Sequence, residues 1–396
     1  MQKQVVDSIY EILDTIKEAM EYLKYKENQE LREVIMMGRQ EITQELEKEL
    51  GFSLEQRMDI WSLSTEDWLI TIYRVIEEMI NPFSPQNAFD MKFLKIINCI
   101  WNYSKDALLQ IMIGKVNQLK KESTEDYEYI CNYFSRFPFW GTFNPEQGDY
   151  TTLKLRVNVL KQHSYDLLWL YRRLNDYMSK CSLCAILKNW LFLDGKDLMQ
   201  IKSSFSDYWE PDIFPNNHND VLVDAGAFIG DSIIEYVKAY GTNYKKIYAY
   251  EICEDSYEFL CNNTKVLHDI IRKFKGIGKE QGKLFLEQNN NSSANRLSQD
   301  GNIQQEVEVV SLDEDIEDVV TFIKMDIEGA EQDALLGCQN IIRTQHPKLA
   351  ICIYHGYEDI WKIPYLIDSI YSDYEFYLRY YGGDLIPTEF VLLCKP

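Results

Sequence analysis

The sequence predicts an α/β fold: an open, doubly wound sheet with helices on both faces, preceded by an all-helical region. Two observations point to it. Through residues 1–205, apolar side chains recur at three- and four-residue steps, the period of a helix. After Pro211 the period changes, and short β-branched runs alternate with helical stretches. The 396-residue chain is 46% hydrophobic, enough to bury a substantial core in two or three domains. The expected division is a helical domain over 1–205 and a sheet domain over 206–396.

The opening segment places Val6, Ile9, Ile12, Leu13, Ile16, Met20 and Leu23 on one stripe of a charged helix. Leu31 to Leu50 repeats the pattern with more polar residues. Ser53 opens SLEQ, a capping-box pattern, and Ser64 opens the weaker STED before WLITIYRVIEEMI. The Pro-rich cluster from Asn81 to Pro85 is a break. Helical pattern resumes over Ala88–Lys120 and Thr124–Phe134, and PFWGTFNPEQGD, Pro138 to Asp149, is a loop. Helices return through YTTLKLRVNVLKQHSYDLLWLYRRLND and KCSLCAILKNWLFL. This half holds no catalytic constellation. Its Tyr and Trp residues read as core and interface, and its stripes suit homo-oligomerisation or acceptor placement.

In the second half, strands are expected at Val221–Asp224, Lys246–Tyr250, Lys273–Gly276, Lys283–Glu287, Val307–Val310, Val320–Met325, Leu349–Tyr354, Tyr374–Tyr381 and Glu389–Leu393. Helices fit Ser232–Tyr240, Ser256–Asn262, Ala330–Arg343 and Ile360–Ser369. A ligand should lie beyond the carboxyl ends of the strands, where their order reverses.

Charge and cysteine usage narrow the function. With 41 basic and 63 acidic residues the formal charge is -22, which repels phosphate backbones and argues against nucleic acid as a partner. Nine scattered cysteines form no disulfide framework and suit reduced thiols in the cytoplasm. Cys181 and Cys184 fit one helix face and have no second pair at zinc spacing. The first residues lack the apolar core of a secretion signal, and no run approaches ~18 apolar residues, so no membrane span is expected.

The chemistry gathers at predicted strand ends. VLVDAGAFIGDS carries Asp224, Gly226 and Gly230, a D-x-G-x-x-x-G turn that departs from the dinucleotide fingerprint G-x-G-x-x-G. Gly226 lets the chain turn closely past a ligand, and Gly230 lets the next helix approach. Asp224 disfavours phosphate and suits a cationic ligand. The next strand, KIYAY, ends in Glu251, where a carboxylate can accept both ribose hydroxyls of an adenosine. FIKMDIEGAEQDALLGC then brings Asp326, Glu328, Gly329 and Glu331 into one turn, able to orient or deprotonate a hydroxyl or to gather a divalent cation. His355 directly follows a buried strand in LAICIYHGYED, a place for proton transfer, substrate contact or a structural hydrogen bond. Five histidines in all argue against a multi-His metal site.

At these residues, from about 220 to 396, the chain resembles the FkbM-type S-adenosylmethionine-dependent methyltransferases. The K-x-D-x-E-G-x-E pattern at Lys324 to Glu331 is the most specific piece. YMSKCSLCAILKNWLF and SDYWEPDIF are similar to the lead-in of bacterial members with an extra amino-terminal region. The resemblance implies a class I methyltransferase fold and methyl transfer to a hydroxyl, often on a sugar or polyketide. It implies S-adenosylmethionine held by Asp224, Gly226, Ala227, Gly230, Glu251 and Asp326. Catalysis would fall to His355, Asp326 and Glu328, with Glu331 and His355 contacting the small-molecule or glycan acceptor. No resident metal is assigned. Members commonly show E-P after the second strand, where this chain has Glu251-Ile252. Gln288 to Leu297, QNNNSSANRL, fits a mobile loop near the acceptor. Two rival readings are a nucleotide-dependent oxidoreductase, against which the missing G-x-G-x-x-G counts, and a helical interaction protein with a degenerate sheet domain.

Overall fold

A computed structural model of the chain describes residues 2–23, 28–216, 218–287, 296–298 and 306–396. The chain forms two compact units, Met1–Gly114 with Tyr150–Trp169, and Lys115–Asp149 with Leu170–Pro396. The change of sequence period near residue 205 falls inside the second. Among the described residues, no helix is long and apolar enough to cross a membrane.

Among its described residues the first unit is built of helices and their connections, with no strand. Helices Gln2–Leu23 and Gln29–Leu50 begin it. Ile9, Leu13 and Ile16 of the predicted stripe are fully buried. A Cβ on Gly38 would touch the Ile16 side chain at 2.9 Å, so the two helices meet at a small residue. Ser64 caps helix Thr65–Ile80 as its sequence suggests, accepting from the Asp67 N–H while its hydroxyl donates to the Asp67 carboxylate. Ser53 forms no capping box. Glu47 reaches across and accepts both the Ser53 hydroxyl and the Leu54 N–H.

The second unit holds eleven strands among the described residues. In chain order they are β1 (Val221–Ala225), β2 (Lys246–Glu251), β3 (Ile270–Phe274), β4 (Gly276–Ile277), β5 (Gly282–Glu287), β6 (Arg296–Ser298), β7 (Glu306–Val310), β8 (Phe322–Met325), β9 (Lys348–Cys352), β10 (Glu375–Tyr380) and β11 (Phe390–Lys395). Seven form a sheet in the order β10-β11-β9-β8-β1-β2-β3. Strand β11 runs antiparallel to both neighbours, while β9, β8, β1, β2 and β3 pair in parallel. Leu222, Val223, Phe322, Ile323 and Leu349 are wholly buried, as in a sheet covered on both faces. The order reverses at β1, which lies between β8 and β2. Its register sets Asp224 opposite Lys324, and Ala225 opposite both Tyr250 and Met325.

The doubly wound sheet is therefore as predicted, with several changes; among them, Arg296 and Leu297, expected in a loop, pair with β5 as part of β6. The run expected at Lys273–Gly276 divides between β3 and β4, and β4 leaves to join β7, β5 and β6 in a separate four-stranded sheet. The helix expected over Ala330–Arg343 breaks into Glu331–Leu336 and Gln339–Gln345. Gly337 causes the break: its carbonyl accepts from the Asp313 N–H and the Ser311 hydroxyl instead of continuing the helix. Most of the tract Gln288 to Leu297, residues 288–295, lies outside the described residues.

Helical segments before residue 205 also belong to this unit. Helix Tyr177–Phe192 docks on β10, where Ser179 accepts from the Leu378 N–H and Asp176 pairs with Arg379 at 2.6 Å. At Gly337 there is no room for a side chain, since a Cβ would lie 2.0 Å from the Gly278 carbonyl oxygen. Gly337→Ala is expected to cost about 1–3 kcal/mol by overpacking, lowering Tm by about 2–4 °C per kcal/mol. Scanning calorimetry checks this, and an unchanged Tm would contradict the tight contact.

Candidate active site

The site starts from a charge buried in the sheet. Lys324 is the third residue of β8, with every neighbour in its strand buried, so its ammonium needs a partner. Register supplies Asp224, whose Oδ1 lies 3.0 Å from Nζ. The Gly226 carbonyl accepts from the same ammonium at 2.7 Å. Burial alone would lower the Lys324 pKa; the Asp224 and Asp326 charges outweigh it and raise it. The Ser232 hydroxyl donates to the other Asp224 oxygen, tying the following helix to β1.

Gly226 turns in the left-handed region, φ +76°, and a Cβ there would lie 1.8 Å from the Asp326 carbonyl oxygen. The closest approach at this glycine is thus to the end of β8. Gly230, φ +85°, passes Thr264 less closely, 2.8 Å for an added Cβ. Beyond the turn, Glu251 accepts backbone N–H bonds from Phe228 at 2.8 Å, Ile252 at 2.8 Å and Cys253 at 2.7 Å. A proline at 252 would lack one of these donors, so the departure from E-P has a structural use here. About one of a carboxylate's roughly four acceptor sites then remains, room for one ribose hydroxyl rather than both.

Together these strand ends surround a cavity of about 500 Å³. Its walls include Asp207, Asp231, Glu235, Glu251, Asp326, Glu328 and Glu389, against Lys275 and Lys324. Both lysines are already paired, Lys275 with Glu308 at 2.7 Å and Lys324 with Asp224. The site therefore favours a cation. Four non-glycine residues in the left-handed region line it: Tyr208, Phe228, Glu328 and Glu389. Such backbone is uncommon and costs roughly 1–3 kcal/mol per residue.

Behind the acidic wall lies His355, buried. Its Nδ1 is 2.9 Å from Glu331 Oε1, and its Nε2 is 3.3 Å from Asp326 Oδ1 and 3.6 Å from Glu328 Oε2. Burial would lower its pKa, but Glu331, Glu328 and Asp326 raise it well above the ordinary value. These carboxylates favour the imidazolium form, which has no lone pair left for a proton. Asp326 also accepts from the Tyr208 hydroxyl at 2.6 Å. Burial pushes Asp326 up, but His355 and Lys324 hold it below the usual carboxylate range. Asp326, Glu331 and His355 each offer an atom that can ligate a metal, all within 4.8 Å of one another.

Of the residues singled out in the sequence, Gly226, Glu251, Asp326 and Glu328 face the cavity. Asp224, Ala227, Gly230, Glu331 and His355 stand one layer behind. The Ala227 N–H is taken by the Tyr250 carbonyl at 2.9 Å. Sequence reading gave Lys324 no role beyond its place in the K-x-D-x-E-G-x-E pattern, and it missed Tyr208, Tyr354 and Glu389. A lysine inside a buried strand was a signal for the first. The others converge only through the fold.

The strand order, with its antiparallel β11, and the cavity at the order reversal define a class I methyltransferase fold. Residues 224–382 match the family model described as Methyltransferase FkbM domain. The chain is similar to the crystal structure of methyltransferase FkbM from Methylobacillus flagellatus KT, at 24% identity and a TM-score of 0.51. That likeness covers 61% of this chain and 62% of the other, so the chain spans less than two thirds of that protein, and it speaks for the fold. An rRNA methylase from Streptococcus thermophilus aligns at 13% identity, 45% and 88% coverage and a TM-score of 0.30. Human N-acetylserotonin methyltransferase in complex with SAM aligns at 9% identity, 82% and 97% coverage and a TM-score of 0.25. Neither of these two carries weight at such scores. No curated protein matches the sequence.

The buried pair makes a direct test. Lys324→Met strands the Asp224 carboxylate and is expected to cost about 3–5 kcal/mol, whereas Lys324→Met with Asp224→Asn recovers part of the loss. Denaturant unfolding measures both. Equal destabilisation with no recovery in the double variant would contradict an ionic partnership.

Proposed function

We propose that the chain is an S-adenosylmethionine-dependent O-methyltransferase acting on a hydroxyl of a sugar, glycan or related metabolite. The observation that carries this reading is the meeting of Gly226, Glu251 and Asp326 on one acidic cavity at the ends of β1, β2 and β8. Its volume of about 500 Å³ falls within the ~300–1,000 Å³ of small-molecule sites. The residues fit the cofactor. Glu251 keeps acceptor capacity for a ribose hydroxyl, and the carboxylate-rich wall suits a sulfonium. When bound, the cofactor supplies an electrophilic methyl group.

The chain's own residues prepare the site for it. Lys324 and Asp224 fix the turn that shapes one wall. His355 and Tyr208 orient Asp326, so no side-chain reorganisation is needed as charge shifts. The cavity brings acceptor and cofactor together, and such alignment can contribute several kcal/mol. The nine cysteines are free thiols, which supports a reducing, cytoplasmic setting. The acidic balance of the chain speaks against nucleic acid as acceptor. The first unit is assigned to self-association or acceptor placement, on the strength of its helical stripes.

Titration calorimetry with S-adenosylmethionine and its demethylated product tests the reading. Both are expected to bind, and Glu251→Ala to weaken them by roughly 1.5–3 kcal/mol, about ten- to a hundred-fold. Radiolabelled methyl transfer to a panel of hydroxylated sugars then reports the acceptor. Tighter binding of a nicotinamide dinucleotide would overturn the assignment.

A further inference from the structure

We propose that Glu389 is the catalytic base that takes the proton of the acceptor hydroxyl. This rests on the methyl-transfer reading above. Glu389 lies immediately before β11, on the far side of β9 and β8 from the β1 turn, yet it lines the same cavity as Gly226, Glu251 and Asp326. Its backbone is left-handed, φ +56°, and its carbonyl is fixed by the Tyr381 N–H at 2.9 Å. One carboxylate oxygen, Oε2, accepts from the Tyr354 hydroxyl at 2.9 Å.

The other acids of the reacting face are engaged differently. Asp326 accepts from Tyr208 and neighbours the His355 imidazolium, which makes it a weak base. Glu328 lies 3.6 Å from the same imidazolium. Glu389 is attached to a neutral phenol, and burial and the Asp326 charge outweigh the lowering effect of that bond and of the His355 charge. The charged groups facing it are Asp326, His355 and Asp207. The phenols of Tyr133, Tyr208, Tyr354 and Tyr380 and the Cys352 thiol also feel its charge. Burial, then the Asp326 charge, push Glu389 up to about 7. A base poised near the working pH transfers protons most effectively.

The reaction balances with no further reagent. The acceptor oxygen forms its bond to the methyl carbon, the carbon–sulfur bond breaks with its electron pair going to sulfur, and the hydroxyl proton passes to Glu389. The resulting carboxylic acid returns its proton to water when the products leave.

The sign follows. The carboxylate is the active form, so wild-type turnover should fall as pH drops through about 7. Glu389→Gln should lower kcat by ~10²–10⁴-fold and abolish that limb, with calorimetric affinity for S-adenosylmethionine within a few-fold of wild type. Tyr354→Phe removes a hydrogen bond to the carboxylate and should move the limb to higher pH. Independently of turnover, infrared titration of the ligand-free protein should show a protonated-carboxyl band that disappears near neutral pH and is missing in Glu389→Gln. Wild-type turnover with the limb retained in Glu389→Gln overturns the proposal, and loss of the limb in Glu328→Gln instead moves the role there. A wild type that binds no S-adenosylmethionine defeats the underlying methyl-transfer reading, whatever the infrared titration shows.

Discussion

The ion pair between Lys324 and Asp224 is the constraint on which the site depends. It joins neighbouring strands at the point where the strand order reverses. A buried ammonium without a counter-charge would be expensive, and a buried carboxylate equally so. Each therefore fixes the other, and the shared register fixes both. The same ammonium grips the Gly226 carbonyl, which brings the β1 turn down onto the end of β8. Only glycine fits that contact. The cofactor-side wall and the acidic wall thus come from one local arrangement.

A second ionic cluster shapes the opposite wall. His355 is ringed by Glu331, Asp326 and Glu328, so one imidazolium offsets part of the repulsion among three carboxylates. This lets acids crowd a cavity in which they would otherwise raise one another's pKa. Glu389 and Asp326 illustrate the outcome. Both are carboxylates in one cavity, but His355 and Lys324 hold Asp326 low, while burial and the Asp326 charge push Glu389 high. Environment separates their roles, as it does wherever two acids share a site.

Much of this was legible in the sequence, and the limits have physical reasons. VLVDA, KIYAYE and FIKMD announced three parallel strands because β-branched and aromatic runs of that length end in turn-forming residues. Their alternation with helices fixed the wound topology. Gly226, Glu251, Asp326 and Glu328 were recognisable because acids and glycines at strand ends sit where ligands bind in such sheets. His355 was placed correctly in the chain, but its protonation depends on three acids from a turn more than twenty residues away. Glu389 read as the first residue of an expected strand. Nothing local shows that an antiparallel strand inserted beside β9 will return it to the cavity. Ser53 failed for a similar reason: its capping pattern was local, and Glu47 from the preceding helix took both donors.

The helical sequence before residue 205 also changes meaning once folded. Trp140, in what reads as a simple loop, donates its indole N–H to the carbonyls of Tyr354 and His355 at 3.2 and 3.0 Å. Tyr357 answers with a hydroxyl bond to the Trp140 carbonyl at 3.1 Å. Stacked on Trp140, with ring centroids 5.4 Å apart, is Tyr133, whose ionisation burial and the Glu389 charge both oppose. These contacts hold the chain just past β9, where Tyr354 reaches Glu389 and His355 reaches the acids. Loss of the indole donor would leave two carbonyls to find other partners at the point where proton-transfer geometry is set. The segment 115–149 therefore belongs with the sheet it supports, and its aromatic residues act on the chemistry through the backbone of residues 354 and 355.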